Sequence, residues 1–190
     1  MDTALADEMQ NRLEITRAYE AMAKEVERAI GREGLILAEA CSFTIVLDKP
    51  SGFALKALLC CPREGKVVVT DNPCPEYWED LWDLKPQVLL AGGHSVKELI
   101  AALERAAKGE RFRRVPHHES ELTPRERDVL RLCAMGYKNE QIANQLMLKA
   151  RTVKNNLNNI FSKLELEHRG QAILYYWGMW EWLEHKPSRY

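Results

Sequence analysis

Cationic and amide side chains are concentrated in residues 141–164, a stretch that contains no aspartate or glutamate. Its cations are Lys149, Arg151, Lys154 and Lys163, and four of its asparagines lie at positions 155, 156, 158 and 159. Lysine and arginine hold phosphates or donate to guanine, and an asparagine amide pairs with adenine. Because a solvated helix face normally mixes charges of both signs, this stretch predicts contact with a polyanion such as DNA.

The charge of the whole chain indicates a local rather than a general attraction to anions. The chain has 27 lysines and arginines against 28 aspartates and glutamates, for a net charge of −1. From Ser120 onward there are 11 cations and 8 acids, a balance of +3, whereas the preceding residues carry 16 against 20, a balance of −4. The positive charge is therefore concentrated in the C-terminal part of the chain.

Other reactive residue types form no motif of catalytic chemistry. The glycine pair at 92–93 is isolated rather than part of a glycine-rich phosphate loop, and no Ser/His/Asp or Cys/His set lies in a recognised motif. We therefore expect no enzyme activity, no catalytic residue and no cofactor. His117, His118 and Glu119 lack the spacing of structural zinc ligands, so no metal site is expected.

Five cysteines, an odd number that includes the adjacent pair Cys60 and Cys61, argue against a disulfide framework. No apolar run is long enough for a membrane span, and residues 1–10 do not have the pattern of a secretory signal. These features predict a cytoplasmic protein with reduced thiols. A redox-sensing role for Cys60, Cys61 and Cys74 is an alternative to buried core thiols.

Residues 122–164 carry the pattern of three short helices. Thr123 and Glu126 form a capping box with Pro124 at the first helical position, and Gly136 ends this helix. Apolar spacing predicts a second helix at residues 139–146 and a third that begins near Ala150. Two short helices joined tightly, the later one basic and polar on its outer side, predict a helix-turn-helix that places a recognition helix in the DNA major groove.

The run from Leu122 to Arg169, LTPRERDVLRLCAMGYKNEQIANQLMLKARTVKNNLNNIFSKLELEHR, resembles the DNA-binding domain of the LuxR/NarL/FixJ family of bacterial regulators. The resemblance includes the Leu-Thr-Pro-Arg-Glu opening, Gly136, Ile-Ala at 142–143, Thr-Val-Lys at 152–154, Ile160 and Lys-Leu at 163–164. It implies an all-α, four-helix DNA-binding domain in a bacterial transcription regulator, associated with the nucleoid when bound to DNA.

We expect eight side chains to contact DNA, six of which the resemblance implies by position. Those that would face the base edges are Lys154, Asn155 and Asn158. Those that would hold phosphates are Arg151, Thr152 and Lys163 and, in place of the family's capping Ser or Thr, Lys138 and Lys149. Losing such a cap costs on the order of 1 kcal/mol. Asn156 and Glu165 replace the family's usual His and Gly, so the preferred DNA sequence does not carry over.

The segment at 171–183, QAILYYWGMWEWL, is rich in aromatic residues. In this family the fourth helix often forms the dimer contact, and three tryptophans within six residues cannot all point inward on one helix. We therefore expect a homodimer with Tyr176, Trp177 and Trp180 at its interface. The alternative is that these rings only close a small core.

Apolar, β-branched runs alternate with helical patterns in the first 110 residues. Strands are predicted at 35–38, 43–47, 67–70 and 88–90, and helices at 5–30, 53–59, 77–84 and 96–107. This alternation predicts a parallel sheet covered on both faces. The predicted organisation is an α/β domain at 1–110, a linker at 111–120 and the helix-turn-helix domain at 121–190.

The N-terminal domain resembles the receiver domain that many members of this family carry. Residues 43–48 resemble the strand that ends in the phosphoacceptor aspartate, here Asp48, and Thr70 lies at the switch hydroxyl position. Three features depart from a receiver: no first strand with an acidic pair is predicted, Gly52 follows Asp48 early, and Ala91 replaces the phosphate-pairing lysine. Because phosphoryl transfer needs a metal and a cation, we expect a degenerate receiver that is not controlled by aspartyl phosphorylation.

Two other functions are alternatives at this stage. The N-terminal domain could bind a protein partner, or sense a redox state or ligand, with DNA binding as a secondary activity. A small-molecule sensor, as in quorum-sensing members of the family, fits less well because the domain has about 110 residues and few aromatic side chains.

Overall fold

The structure is a computed structural model that describes residues 13–16, 24, 28, 43–60, 65–117 and 120–179. The chain divides into two compact units. The sheet unit comprises Met1–Pro73 and Trp78–Pro116, and the helical unit comprises Cys74–Tyr77 and His117–Tyr190. In the described part of the chain, no helix is both long and apolar enough to span a membrane.

Five parallel strands form one sheet among the described residues, in the order β1-β2-β3-β4-β5. The strands are β1 (Leu13–Thr16), β2 (Phe43–Leu47), β3 (Lys66–Thr70), β4 (Val88–Ala91) and β5 (Phe112–Arg114). The helices between them in sequence are α1 (Phe53–Cys60), α2 (Pro75–Asp83) and α3 (Val96–Ala107). The predicted α/β fold with a parallel sheet is therefore confirmed.

The core of the sheet unit is built from the apolar centres of the strands. Ile45 lies opposite Val67 in the register, and Val67 lies opposite Val88. These three side chains are fully buried, and Leu103 of α3 packs against the same cluster. Successive strand residues point to opposite faces, yet Val68 is fully buried as well. Both faces of the sheet are therefore covered, as the continuous apolar runs predict.

The helix predicted at residues 5–30 is wrong for Leu13–Thr16, which form β1. This strand pairs in parallel with β2, with Leu13 opposite Phe43. The pairing gives the backbone a row of inter-strand hydrogen bonds, and the β-branched Ile15 and Thr16 favour extended backbone. The expectation that the sheet lacks a first strand is thereby corrected. The strand predicted at residues 35–38 lies outside the described residues.

The predicted linker is corrected at its start, because Phe112–Arg114 form the edge strand β5. The backbone N–H of Phe112 donates to the carbonyl of Gln87 at 3.2 Å. The guanidinium of Arg105 lies 3.7 Å from the centre of the Phe112 ring. Arg111, one of the cationic side chains that predict a solvated segment from sequence, instead stacks on Trp82, with 3.8 Å between its guanidinium and the ring centre. A linker therefore begins no earlier than residue 115.

Four helices form the rest of the helical unit among the described residues. They are α4 (Pro124–Ala134), α5 (Asn139–Leu146), α6 (Ala150–Lys163) and α7 (Arg169–Tyr176). The bounds of α5 and the start of α6 are those predicted from apolar spacing. The fully buried side chains at the centre of the packing are Val129, Leu130, Ile142, Val153 and Ile160. The predicted all-α, four-helix architecture is confirmed.

The helical unit also includes a short piece of chain from far upstream. Glu76 is fully buried, and its two carboxylate oxygens accept hydrogen bonds from the Ser120 hydroxyl at 2.6 Å and the Tyr175 hydroxyl at 2.7 Å. The neighbouring Tyr77 packs edge-on against the Tyr176 ring, with 5.5 Å between ring centres. A buried carboxylate is tolerated because both of its oxygens are hydrogen bonded.

Helix α4 begins at a capping box that also binds the end of α6. The Glu126 carboxylate accepts from the backbone N–H and the hydroxyl of Thr123, each at 2.9 Å, and Glu126 Oε2 lies 2.7 Å from Lys163 Nζ. Burial raises the pKa of Glu126, but the hydrogen bonds from Lys163 and Thr123 lower it by more than burial raises it. The pKa of Glu126 therefore falls below its ordinary value. This carboxylate therefore stabilises the fold in its ionised form.

Replacing Glu126 by glutamine tests this pair. Glutamine still caps α4 but has no charge to pair with Lys163, so we expect a loss of about 1–2 kcal/mol of unfolding free energy at neutral pH. Because the folded-state pKa is depressed, the contribution is present above the unfolded-state pKa and is lost as pH falls through the folded-state value. Denaturant titrations at several pH values should therefore show a shallower acid loss in Glu126→Gln. The exposed Glu121→Gln is the control, and equal pH slopes for Glu126→Gln and wild type would contradict the prediction.

Candidate nucleic-acid interface

The outer face of α6 carries the side chains that the sequence predicts for DNA contact. Val153, Leu157 and Ile160 are buried against the rest of the helical unit. With 3.6 residues per turn, the positions between them point away from this stripe. The predicted DNA-contact side chains that are exposed on and just before the helix are Lys149, Arg151, Thr152, Lys154, Asn155 and Asn158. The structure therefore brings six of the eight predicted DNA-binding residues onto one exposed surface, which we call the α6 face.

Lysines occupy the N-cap positions of α5 and α6. Neither Lys138 nor Lys149 makes a side-chain cap hydrogen bond. At α5 the side-chain oxygen of Gln141 accepts the backbone N–H of Lys138 at 2.8 Å, whereas the N-cap of α6 has no side-chain cap hydrogen bond. A cation at a helix N-terminus also opposes the helix dipole. Both lysines are exposed, and a phosphate between each ammonium and its helix N-terminus would offset this cost.

Lys163 differs from the other predicted DNA-binding residues because it forms an ion pair within the fold. Its ammonium lies against the Glu126 carboxylate and also donates to the backbone carbonyl of Glu121 at 3.2 Å. A phosphate contact by Lys163 stays a prediction, and it would have to compete with this internal ion pair. Asn156, which replaces the family's histidine, donates to the carbonyl of Thr152 at 2.9 Å and so remains close to its own helix.

Two arginines that the sequence did not single out hold the helix-turn-helix together. The Arg125 guanidinium donates to the backbone carbonyl of Leu146 at the end of α5. Arg169 donates to the Asn139 side chain at 3.2 Å and to the Tyr137 carbonyl, which fixes the start of α5. Their acceptors are mostly backbone atoms 21 or more residues away, so no local sequence signal marks them.

Comparison with known proteins assigns most of the helical unit to a protein family. The family described as "Bacterial regulatory proteins, luxR family" matches residues 120–176. These residues are a luxR-family domain. Over 54 residues the chain is 46% identical to the response regulator protein VraR of Staphylococcus aureus and of Staphylococcus saprophyticus. The match covers 28% of this chain and 26% of each relative, so the shared part is about a quarter of their length.

Several solved structures align with most of the chain at low identity. A structure of two RcsB dimers bound to two parallel DNAs has 19% identity and a TM-score of 0.49, and covers 87% of this chain and 97% of its own. RcsB from Salmonella enterica serovar Typhimurium bound to promoter rprA has 18% identity and a TM-score of 0.49 over 87% and 98%. The response regulator ChrA of a heme-sensing two-component system has 16% identity and a TM-score of 0.41 over 87% and 95%.

Tyr176, at the end of the luxR-family domain, is not on the surface where the predicted dimer interface would place it. Tyr176 is fully buried, with the Trp177 ring 5.0 Å away in an edge-on contact, so its ring belongs to the core rather than to the surface. A packed core of this size needs such rings, which local spacing does not reveal. Trp177 is partly exposed and donates from its ring N–H to the Ala134 carbonyl at 2.9 Å. Trp180 lies outside the described residues.

Asp48 lies in the sheet unit, directly after β2, and is 1% exposed. One carboxylate oxygen accepts the backbone N–H of Ala54 in the first turn of α1 at 2.8 Å, and the other accepts the Thr70 hydroxyl at 2.7 Å. Lys49 next to it forms an ion pair with Asp71. Ala91 ends β4 and is itself buried. The carboxylate of Asp48 is thus enclosed and hydrogen bonded on both oxygens, as a helix-capping group would be.

The described cysteines differ in their exposure. Burial raises the pKa of the Cys74 thiol well above its ordinary value, and the nearby Glu76 carboxylate raises it further. Burial also raises the pKa of Cys133. Both thiols therefore remain protonated and poorly reactive. Cys60 is exposed, and its neighbour Cys61 lies outside the described residues.

Replacing Lys149 by serine tests whether this lysine serves folding or binding. A serine hydroxyl at the N-cap accepts a free backbone N–H of α6, so we expect the free protein to gain about 1 kcal/mol of stability. The same change removes one predicted phosphate contact, so the slope of log affinity against log salt should fall by about one. Thermal unfolding and DNA titrations at several salt concentrations measure both effects. Lys97→Ser, an exposed lysine on α3, should change neither, and an unaltered salt slope in Lys149→Ser would remove its phosphate role.

Proposed function

We propose that this chain is a sequence-specific DNA-binding transcription regulator of the response-regulator type. The α6 face is the observation that carries the proposal, since it presents exposed cations and amides without an acid between residues 141 and 164. The luxR-family domain and the similarity of 54 residues to the response regulator VraR support it. An enzyme function has no comparable support, because the matched family is one of regulatory proteins.

Within this proposal the side chains of the α6 face have two roles. Lys154 donates to guanine, and Asn155 and Asn158 pair with adenine, so these three determine the preferred sequence. Lys149, Arg151 and Thr152 of the α6 face hold phosphates and set the position of the helix on the duplex, together with Lys138 at the N-cap of α5. Lys163 has the same assignment only if DNA displaces it from Glu126. Because α6 is anchored by a buried stripe, its polar side chains are pre-positioned for the groove.

We propose further that the protein binds DNA as a homodimer. Two copies related by a two-fold axis would place two α6 helices in successive major grooves about one helical turn apart. The partly exposed Trp177 and the exposed Met179 at the end of α7 support an interface at this end of the luxR-family domain.

The proposed regulator does not depend on phosphorylation of Asp48. A phosphoryl acceptor has to expose a carboxylate oxygen to the donor, and here both oxygens accept internal hydrogen bonds in a buried position. A cation is also needed to hold the transferred group, and Ala91 at the end of β4 offers none. The input to the sheet unit is then a protein partner or another non-phosphate signal.

Reversing the charge of Lys154 tests the α6 face. We expect purified wild type to enrich genomic fragments with an inverted repeat whose half-sites lie about one helical turn apart. Lys154→Glu should lower affinity for these fragments by about tenfold or more, the effect of losing a good base contact. Lys97→Glu makes the same charge change on α3 and should bind like wild type. Equal enrichment by wild type and Lys154→Glu, or weak binding without any sequence preference, would overturn the proposal.

Exposure to acetyl phosphate or beryllofluoride tests the independence from phosphorylation. We expect no covalent adduct by mass spectrometry after acetyl phosphate, and no change in DNA affinity with either reagent, because the Asp48 oxygens are occupied. Asp48→Asn should instead lower the unfolding free energy by about 1–3 kcal/mol, because an amide cannot accept both internal hydrogen bonds. A stoichiometric phosphoryl adduct that forms on wild type and is absent from Asp48→Asn would show that the site is a working acceptor.

A further inference from the structure

Met147 lies in the turn between α5 and α6, and folding does not explain why a methionine stands at this position. Its side chain is 93% exposed, the highest value among the exposed large apolar side chains of the described residues. Its backbone lies in the left-handed region at φ 54°, which favours glycine. A methionine here strains the backbone and buries very little apolar surface. Since a methionine at position 147 stabilises neither the backbone nor the core, we look for a role of its side chain outside folding.

The backbone around Met147 is fixed on both sides. The N–H of Leu148 donates to the Ala143 carbonyl at 2.8 Å, and Arg125 holds the Leu146 carbonyl. The backbone of the turn therefore fixes the direction of the Met147 Cα–Cβ bond, although the side chain touches little of its own domain. A group held in this way loses little backbone freedom when a partner binds.

The surroundings of Met147 indicate the charge of that partner. No acidic residue occurs between 141 and 164, and the exposed cations that follow the turn are Lys149, Arg151 and Lys154. A partner that covers this stretch has to be anionic, and it has to offer an apolar group to the thioether. A DNA duplex has both, because phosphates line the major groove and the 5-methyl of thymine is the apolar group within it.

We propose that Met147 is a specificity-determining residue that packs against the 5-methyl group of a thymine in the DNA half-site. The inference rests on the proposed function and adds an apolar contact to the polar contacts of the α6 face. Methionine suits the role because its unbranched, polarizable side chain adapts to the position of a methyl group. Met147 lies two residues before the N-cap of α6, the end of a recognition helix that enters the groove.

Single thymine-to-uracil replacements in a selected half-site provide the test, since uracil lacks only the methyl group. Wild type should lose affinity by about fourfold at one thymine per half-site, the effect of one buried methyl group. Met147→Ala should lose a similar amount on the thymine DNA and be insensitive to uracil at that position. Met147→Gly should bind like Met147→Ala but melt at a higher temperature, because glycine relieves the left-handed backbone. The control is Met135→Ala, a partly exposed methionine at the end of α4.

Three results would overturn the inference. If Met147→Ala binds thymine DNA as tightly as wild type does, the proposed contact does not exist. An alanine variant with undiminished sensitivity to uracil would assign the methyl contact to another residue. A variant that binds all DNA like wild type but no longer supports regulated transcription would assign Met147 to a protein partner. Failure of wild type to enrich any DNA would instead refute the proposed function together with this contact.

Discussion

The burial of one apolar stripe of α6 is the constraint on which the rest of the helical unit depends. Val153, Leu157 and Ile160 have to face the core. Because of the helical period, the positions between them then face outward. Polar residues of low helix propensity, such as Asn155 and Asn158, are acceptable there because tertiary packing rather than propensity holds the helix. The same stripe therefore determines both the stability of the unit and the composition of its exposed face.

The position of each cation on α6 determines whether its charge is paired within the fold. Lys163 near the C-terminal end is bound to the Glu126 carboxylate, so its charge is used within the fold. Lys149 at the N-terminal end has no cap hydrogen bond and stands where the helix dipole disfavours a cation. Among the carboxylates, Asp48 at the predicted phosphoacceptor position is buried, and both of its oxygens accept hydrogen bonds from within the sheet unit.

The features that the sequence predicted correctly are those with local causes. The capping box at Thr123 and the apolar spacing of α5 and α6 act within a few residues, so their positions follow from the sequence. β1 and β5 were missed because their stability comes from pairing with β2 and β4. The ion pair of Lys163 and the burial of Tyr176 depend on partners 37 and 99 positions away, at Glu126 and Tyr77. No pattern in a single sequence marks such pairs.

The contribution of Glu76 and Tyr77 to the helical unit has a consequence for how such a protein can be recombined. The luxR-family match begins at residue 120, but the carboxylate that Ser120 and Tyr175 hydrogen bond comes from residue 76. A gene fusion cut at the start of the family match would transfer the helices and leave this carboxylate behind. The segment that has to be exchanged is therefore longer than the family match, and crossover points that separate residue 76 from residue 175 would give chimaeras with an incomplete interior.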